Sequence, residues 1–454
     1  MPERGAARRI LVLTGDSIGA KLAGPGIRAW HMALALAEVG EVRLVSMSTV
    51  EAVEAPFSVK ALPKGDRAEF ARLELWADLI VFQGAAMAIW PELARSEKIL
   101  ICDSYVPMQL ENLEFDIEFD AVQAERRHAH LSHWMNQTLE RADFFLAASE
   151  RQRMFWLGAL TALGRVNPYT YRDDRSLRQL IDVVPFGLAS EPPVHERQVL
   201  KGVHPAIGAD DKLLLWSGGL YNWFDPFTLI RAVAQLAERR PNIRLFFLGT
   251  KHPNPDVPEM EIVGKARTLA EELGVAGRQV IFNESWVAFA DRQNYLLEAD
   301  LGISTHPVHV ETTFSFRTRI LDYLWAGLPM VVTEGDHFAD LIATEGLGEA
   351  VPEDDPDALA AAIERVVYDD ATHERAASNV RRVAARYTWT TVLAPLVAFA
   401  MAPHRAADRP TRKASTGRPR HWSRLEGIRT AIMTGGVGGL MRRARQRLQR
   451  REAG

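Results

Sequence analysis

The sequence predicts an α/β protein made of two doubly wound domains in tandem, facing each other across a cleft, followed by a basic tail. Three observations predict it. Short apolar runs of strand length recur along the 454 residues, each separated from the next by a stretch of helical period. The pattern breaks at residues 188–210, which are rich in Pro, Glu and His, and then starts again. The chain is also longer than a single hydrophobic core usually grows.

Residues 10–13 read as a buried strand, followed by a loop with Gly15, Gly19, Gly24 and Gly26, a helix over 27–39 and a strand at 42–46, which is one βαβ unit. Further strands are expected at 79–82, 99–102 and 144–147, with a long polar helix over about 125–141 between the last two. The first domain is expected to span residues 1–187 and the linker 188–210. The second, 211–386, opens with a strand at 213–216, a tight turn at Ser217-Gly218-Gly219, and Asp225-Pro226 as N-cap and first helical residue. Strands follow at 243–248, 280–282, 301–305 and 330–333, and Asp355-Pro356 starts a helix whose apolar face lies in 358–367. A closing helix is expected over 387–402 and the tail over 403–454, disordered or bound to something else. Two such Rossmann-like sheets leave a cleft at their carboxyl ends, where this architecture binds ligands.

Composition excludes several classes. The hydrophobic fraction of 47% is that of a soluble globular protein, and no apolar run approaches the roughly 20 residues that cross a bilayer. The N-terminus passes directly into the first strand rather than through a signal peptide, so a cytoplasmic location is expected. The single cysteine, Cys102, excludes an intramolecular disulfide and a cysteine-built zinc site, and reads as a buried small hydrophobe. From Pro403 onward 14 Arg and Lys face 3 acidic residues, a net +11, which leaves about −15 on the rest of a chain of net −4. Leu440, Met441, Ala444 and Leu448 form a narrow apolar stripe among these arginines, suited to an anionic membrane surface; a solvated tail is the alternative. No nucleic-acid partner is expected.

The residues after the strand at 301–305 carry the clearest chemistry. A loop crosses 306–314, and Ser315 can cap a helix whose first turn holds Arg317, Thr318 and Arg319. Free N–H groups, the positive end of a helix dipole and two guanidiniums then meet, which makes a diphosphate site. Arginines at that place oppose the dipole unless an anion is present. Asp322, further along, can accept hydrogen bonds from ribose hydroxyls. The glycine loop has the spacing GxxxG then GxG rather than GxGxxG; it lets backbone approach a ligand, with Arg28 reaching a phosphate or an acceptor, and a purely structural turn stays open. Phe282 or Trp286 can stack on a nucleobase or belong to the core. No Asp-x-Asp follows a strand, and His128, His130 and His133 project to different faces of one helix, so neither a metal nor another cofactor is expected.

Residues 311–333, ETTFSFRTRILDYLWAGLPMVVT, resemble the donor-binding segment of retaining glycosyltransferases of the GT-B fold, family 4, also called glycosyl transferases group 1. Members carry an acidic residue, then after seven others a glutamate inside a helix ending Ala-Gly-x-Pro. Here Asp322 holds the second place, Phe314 stands at the first, and Glu311 lies three residues upstream as a substitute. Gly24-Pro25-Gly26-Ile27-Arg28-Ala29-Trp30 is similar to the glycine loop of bacterial cell-surface members. Ala148-Ser149-Glu150-Arg151-Gln152, Pro185-Phe186-Gly187 and Trp216-Ser217-Gly218-Gly219 extend the similarity over nearly the whole chain. Members often follow the last motif with an arginine and a lysine that hold the diphosphate; this chain has Leu220-Tyr221-Asn222-Trp223-Phe224, so Arg317 and Arg319 would replace them.

The resemblance implies an acceptor-side first domain, a donor-side second domain, and transfer of sugar from a nucleotide diphosphate to a glycan or lipid-linked acceptor with retention. Surface-polysaccharide synthesis at the inner face of the plasma membrane is the implied setting. Gly218, Gly219, Ser315, Phe316, Arg317, Thr318, Arg319 and Asp322 would bind the donor, and Gly24, Gly26 and Arg28 would form the glycine loop. Asp103 and Glu311 are the catalytic candidates, with Gln83 where many members place a histidine. Two alternatives remain, a nucleotide-sugar 2-epimerase of similar two-domain fold and a catalytically degenerate nucleotide-binding partner protein.

Overall fold

The computed structural model describes residues 8–19, 22–117, 119–250, 260–285, 287–288 and 290–409. Trp286 and the tail residues Leu440, Met441, Ala444 and Leu448 lie outside the described residues. The chain up to Arg409 forms one compact unit.

That unit contains two parallel sheets. The first is built from β1 (Arg8–Thr14), β2 (Gly40–Ser46), β3 (Ser58–Ala61), β4 (Leu79–Gln83), β5 (Ile99–Asp103), β6 (Phe144–Ala147) and β7 (Ile181–Val183), in the order β3-β2-β1-β4-β5-β6-β7. The second uses β8 (Lys212–Gly219), β9 (Ile243–Gly249), β10 (Val280–Phe282), β11 (Leu301–Ser304), β12 (Met330–Thr333) and β13 (Gly348–Val351), in the order β10-β9-β8-β11-β12-β13. Ile10, Leu11, Val12 and Leu13 are wholly buried, as are Leu213, Leu214, Leu215 and Trp216, because helices cover both faces of each sheet. In each sheet the strand order reverses beside its first strand, between β1 and β4 and between β8 and β11. Ligands of doubly wound sheets bind outside the carboxyl ends of the strands at such a point.

The predicted architecture is the one observed, and local signals explain several boundaries. Asp225 accepts hydrogen bonds from the N–H groups of Phe227 and Thr228, and Asp355 from that of Ala358, each beginning a helix with proline at its first position. The first helix, Gly24–Ala37, starts three residues earlier than its apolar pattern, with Pro25 in its first turn.

The expected closing helix over 387–402 is divided into Trp389–Val392 and Ala394–Met401. Its second part returns to the first sheet, where Phe399 stacks on Phe144 at 4.3 Å and Arg8 donates to the Ala400 carbonyl at 2.8 Å. The chain thus passes between the sheets twice. The crossings are tied to each other where the Leu188 N–H meets the Tyr387 carbonyl at 2.8 Å and the Trp389 N–H the Leu188 carbonyl at 3.1 Å. Residues 403–409, expected to open the tail, belong instead to this packing. Asp408 is fully buried and takes the Arg165 Nε–H at 2.9 Å, an ion pair between residues 243 apart that outweighs the polar composition of the segment. Among the described residues no helix is long and apolar enough to cross a membrane.

Candidate functional site

The site is assembled by the loop that follows β11. His306 is almost fully buried, and His309 caps a one-turn helix, Val310–Phe314, whose Thr312 hydroxyl accepts the His309 N–H at 2.8 Å. Ser315 ends that helix. Its hydroxyl donates to the Thr312 carbonyl at 3.1 Å, so the expectation that it caps the following helix is corrected. The orphan carbonyl one turn back is the nearer partner for a serine at a helix end. The next helix runs Arg319–Ala326 with Thr318, exposed, at its N-cap and no side-chain cap.

Arg317 and Arg319 nonetheless come together as predicted. They are 7% and 8% exposed, in a segment where arginine would ordinarily be solvated. Arg317 donates from Nη2 to Glu311 Oε2 at 2.9 Å. Arg319 donates from Nη2 to the Gly219 carbonyl at 2.7 Å and lies 4.1 Å over the rings of both Trp216 and Phe224. Gly218 has φ +79°, a left-handed conformation that glycine adopts without strain, at the turn preceding that carbonyl. Burial, together with the neighbouring Arg317 charge, lowers the Arg319 pKa to about 10. Arg317 Nε and Arg319 Nη1 have no hydrogen-bond partner. Of these two desolvated cations only Arg317 has a carboxylate partner, an arrangement that an anion would complete.

The aromatic segment that stands in place of the usual cations has a part in this. Phe224 lies under both guanidiniums, at 5.0 Å from Arg317 and 4.1 Å from Arg319. This platform of Trp216 and Phe224 was not foreseen, although alternation of aromatics with a missing cation pair was the available signal. Asp322 is already engaged, accepting from Ser217 Oγ at 2.7 Å and pairing with Arg292 at 3.0 Å. Phe316 packs between Phe186 of the first domain, 6.4 Å away, and Phe338 at 4.7 Å, so it joins domains rather than lining open space.

The first-domain residues require a larger correction. Arg28 is wholly buried and donates from Nε and Nη2 to the two oxygens of Asp103 at 2.8 and 2.7 Å, and to the Pro185 and Val184 carbonyls at 2.8 and 2.7 Å. Gln83 Nε2 adds a third donor to Asp103 at 2.9 Å. Arg28 therefore does not extend to a phosphate or an acceptor, and Asp103 is its counterion, not a free carboxylate in the cleft. A guanidinium inside a fold requires such bidentate pairing. Gly26 donates its N–H to Asp16 Oδ2 at 3.1 Å, and a Cβ there would stand 3.1 Å from the Ser17 carbonyl; Gly24 is the first helical residue, with open space around it.

Glu311 faces the first domain. Burial and then the Glu311 charge raise the carboxyl of Glu111, on the helix Met108–Asp116, while Arg317 works against them. His309 Nδ1 lies 3.5 Å from Glu114 on the same helix. Gln152, in a helix capped by Ser149, donates to the Phe314 carbonyl at 2.9 Å. The loop carrying the arginines is thus one of the places where the two domains meet.

Asp336, 3% exposed, caps the helix His337–Glu345 beside this loop by accepting the Ala339 N–H at 2.7 Å. Burial raises its pKa to about 6 against that bond and the Arg317 charge. A folded value above the unfolded one, near 4, means that stability is greatest at low pH and falls as pH rises through 4 to 6. Asp336→Asn keeps the cap and removes the charge. Its thermal midpoint should exceed the parent's at pH 7.5, by up to about 3 kcal/mol of stability, with the difference shrinking toward pH 4. A constant difference between the two pH values would refute this origin.

Comparison with known proteins agrees with this geometry. Residues 211–369 match the family described as Glycosyl transferases group 1. Residues 211–369 thus form a glycosyl transferases group 1 domain. No curated protein matches the chain by sequence. Among solved structures it is similar to Anabaena HepE in complex with UDP-glucose, with a TM-score of 0.62, 16% identity, and coverage of 87% of this chain and 100% of that one. Sucrose-phosphate synthase from Thermosynechococcus elongatus gives a TM-score of 0.61 at 16% identity over 85% and 96% of the two chains. WaaG, a glycosyltransferase involved in lipopolysaccharide biosynthesis, gives 0.58 at 18% identity over 90% and 100%. These likenesses give the fold, which is GT-B. The group 1 match ends at Asp369, one residue past the helix Pro356–Tyr368, so it contains β8, β11, both arginines and Asp322.

Proposed function

We propose that the chain is a retaining glycosyltransferase that takes a sugar from a nucleotide diphosphate and passes it to a glycan or lipid-linked acceptor in surface-polysaccharide synthesis. The observation that carries this reading is the pair of buried guanidiniums, Arg317 and Arg319, of which only Arg317 is paired with a carboxylate, beside the strand-order reversal of the group 1 domain. Their unsatisfied N–H groups suit the oxygens of a departing diphosphate, whose growing charge they would stabilise in a site poor in water. Arg317 would divide its contacts between Glu311 and the phosphate. Asp322, held by Ser217 and Arg292, would present its carboxylate edge to the ribose. Retention rests on the likeness of residues 311–333 to retaining enzymes; the acceptor hydroxyl then attacks from the face the leaving group vacates and gives its proton to the donor phosphate. HepE, a fold neighbour, was solved in complex with UDP-glucose, so uridine nucleotides are the first donors to try.

In this reading the charge of the leaving group is met by arginine and no metal is needed. The enzyme would work in the cytoplasm, at the membrane when its acceptor is lipid-linked. Incubation with nucleotide sugars and candidate acceptors, followed by proton NMR of the product, tests the reading. The anomeric configuration of the donor should be kept, and EDTA should change kcat/KM by less than about twofold, since arginine-based stabilisation has no metal step to lose. An inverted product would remove the retaining mechanism. Conversion of the donor without acceptor would favour the 2-epimerase, and binding without turnover the degenerate partner.

A further inference from the structure

Buried polar atoms without a hydrogen-bond partner concentrate in one segment. Ser304 Oγ, both ring nitrogens of His306, His309 Nε2, Arg317 Nε and Arg319 Nη1 all fall between Ser304 and Arg319. The arginine atoms are accounted for by a diphosphate. Those of His306 and Ser304 are not.

His306 follows β11 and is 1% exposed; its own N–H donates to Thr333 Oγ1 at 3.2 Å, which fixes the backbone and leaves the ring uncommitted. Burial first, and then the charge of Arg317, lower the imidazole pKa to about 3, so the ring is neutral at ordinary pH. The Glu334 main chain works against that shift, without reaching hydrogen-bond geometry at either nitrogen. A neutral imidazole carries one N–H and one lone pair. An ionised diphosphate offers acceptors only and would leave the lone pair unmatched. A hydroxyl supplies a donor and an acceptor at once, and satisfies both kinds of site. Ser304, two residues upstream and 2% exposed, carries the same dual capacity.

We propose that His306, assisted by Ser304, reads hydroxyl groups of the sugar being transferred, while Arg317 and Arg319 hold the diphosphate. The inference rests on the donor-site reading above and divides that site into two parts with separate chemistry. It assigns sugar recognition to the group 1 domain, through a residue that belongs to none of the motifs quoted from the sequence. A neutral donor–acceptor pair in a buried site discriminates by leaving its partners unmatched when a hydroxyl is missing or misplaced, so His306 acts on specificity.

The test compares the full chain with His306→Leu and His306→Gln. Dissociation constants are measured by calorimetry for UDP with UDP-glucose, GDP with GDP-mannose, and ADP with ADP-glucose. For the pair that binds, His306→Leu should leave nucleoside-diphosphate affinity within about twofold and weaken nucleotide-sugar affinity about 10- to 100-fold, the scale of an unmatched polar contact. His306→Gln, which keeps one donor and one acceptor, should recover part of that loss. Because the leucine removes only atoms that have no partner in the free protein, its thermal midpoint should equal or exceed the parent's. An unchanged ratio of the two dissociation constants overturns the proposal, and so does a His306→Leu protein that fails to fold, since the imidazole would then be structural. Equal loss of diphosphate and sugar-nucleotide binding assigns His306 to the phosphates and also overturns it. If the unmodified chain binds none of the six ligands, the donor-site reading itself falls, and this inference falls with it.

Discussion

Arg319→Leu should cut nucleotide-sugar turnover by about two to three orders of magnitude and leave the ligand-free protein as stable as before. The guanidinium is held at 2.7 Å from the Gly219 carbonyl and stacked between Trp216 and Phe224, but no carboxylate pairs with it directly, and Arg317 adds a like charge beside it. Burial of a cation without a counterion opposes folding, and relief of that cost offsets the packing against the two rings that the shorter leucine gives up. The opposite sign is expected for function. Removing one preorganised donor to a charged transition state costs about 10²–10³ in kcat, and the nucleoside diphosphate should lose affinity together with its sugar conjugate. Arg319→Lys should recover little, because an ammonium neither stacks over Trp216 and Phe224 in the same way nor offers a planar fork of donors. Isothermal titration with nucleoside diphosphates and a melting curve of the free protein read the two effects separately. Wild-type affinity in Arg319→Leu would sink the proposed phosphate site, and a large fall in melting temperature without ligand would make the arginine a structural element.

The strands that face helices on both sides were legible because they must be continuous apolar runs. β1, β4, β6, β9 and β12 are of this kind. β3, β7 and β13 were missed for a physical reason. β3 and β13 lie at sheet edges and are partly exposed, while β7, only three residues long, is also an edge and has an aspartate at its centre. Nothing in their composition requires a strand; the neighbouring backbone does. The site divides in the same manner. Arg317, Arg319 and Glu311 are close in sequence, and their convergence follows from a short helix and a turn. The pairing of Arg28 with Asp103 joins residues 75 apart, and the contacts of Arg319 with Gly219 join residues 100 apart, so neither has a local signal. Ser315 illustrates the limit of capping rules: a serine between two helices can serve the end of one or the start of the other, and only the position of the Thr312 carbonyl decides.

The status of Asp103 can be settled by the direction in which its removal acts. As the counterion of a wholly buried Arg28, it makes a bidentate pair at 2.8 and 2.7 Å that also ties the first helix and β5 to the carbonyls of Val184 and Pro185, at the end of the first domain. Asp103→Ala leaves that guanidinium buried and uncompensated, a change that typically costs about 3–5 kcal/mol. The melting midpoint should fall by roughly 5 °C for a unit of this size. The double variant Arg28→Met with Asp103→Leu should recover most of the loss, because it removes both charges and fills the space with apolar atoms. A catalytic carboxylate would behave in the reverse way. Asp103→Ala would then melt near the parent temperature with turnover reduced by orders of magnitude, and the double variant would be no more stable than the single. Recovery of stability by the second substitution is therefore the decisive measurement, since it can arise only if the two side chains are each other's principal partners. That result would also explain why a charged residue stands at the end of a strand otherwise composed of Ile, Leu and Cys: the aspartate is required by an arginine on a neighbouring helix and by the chain crossing between domains, not by the sugar.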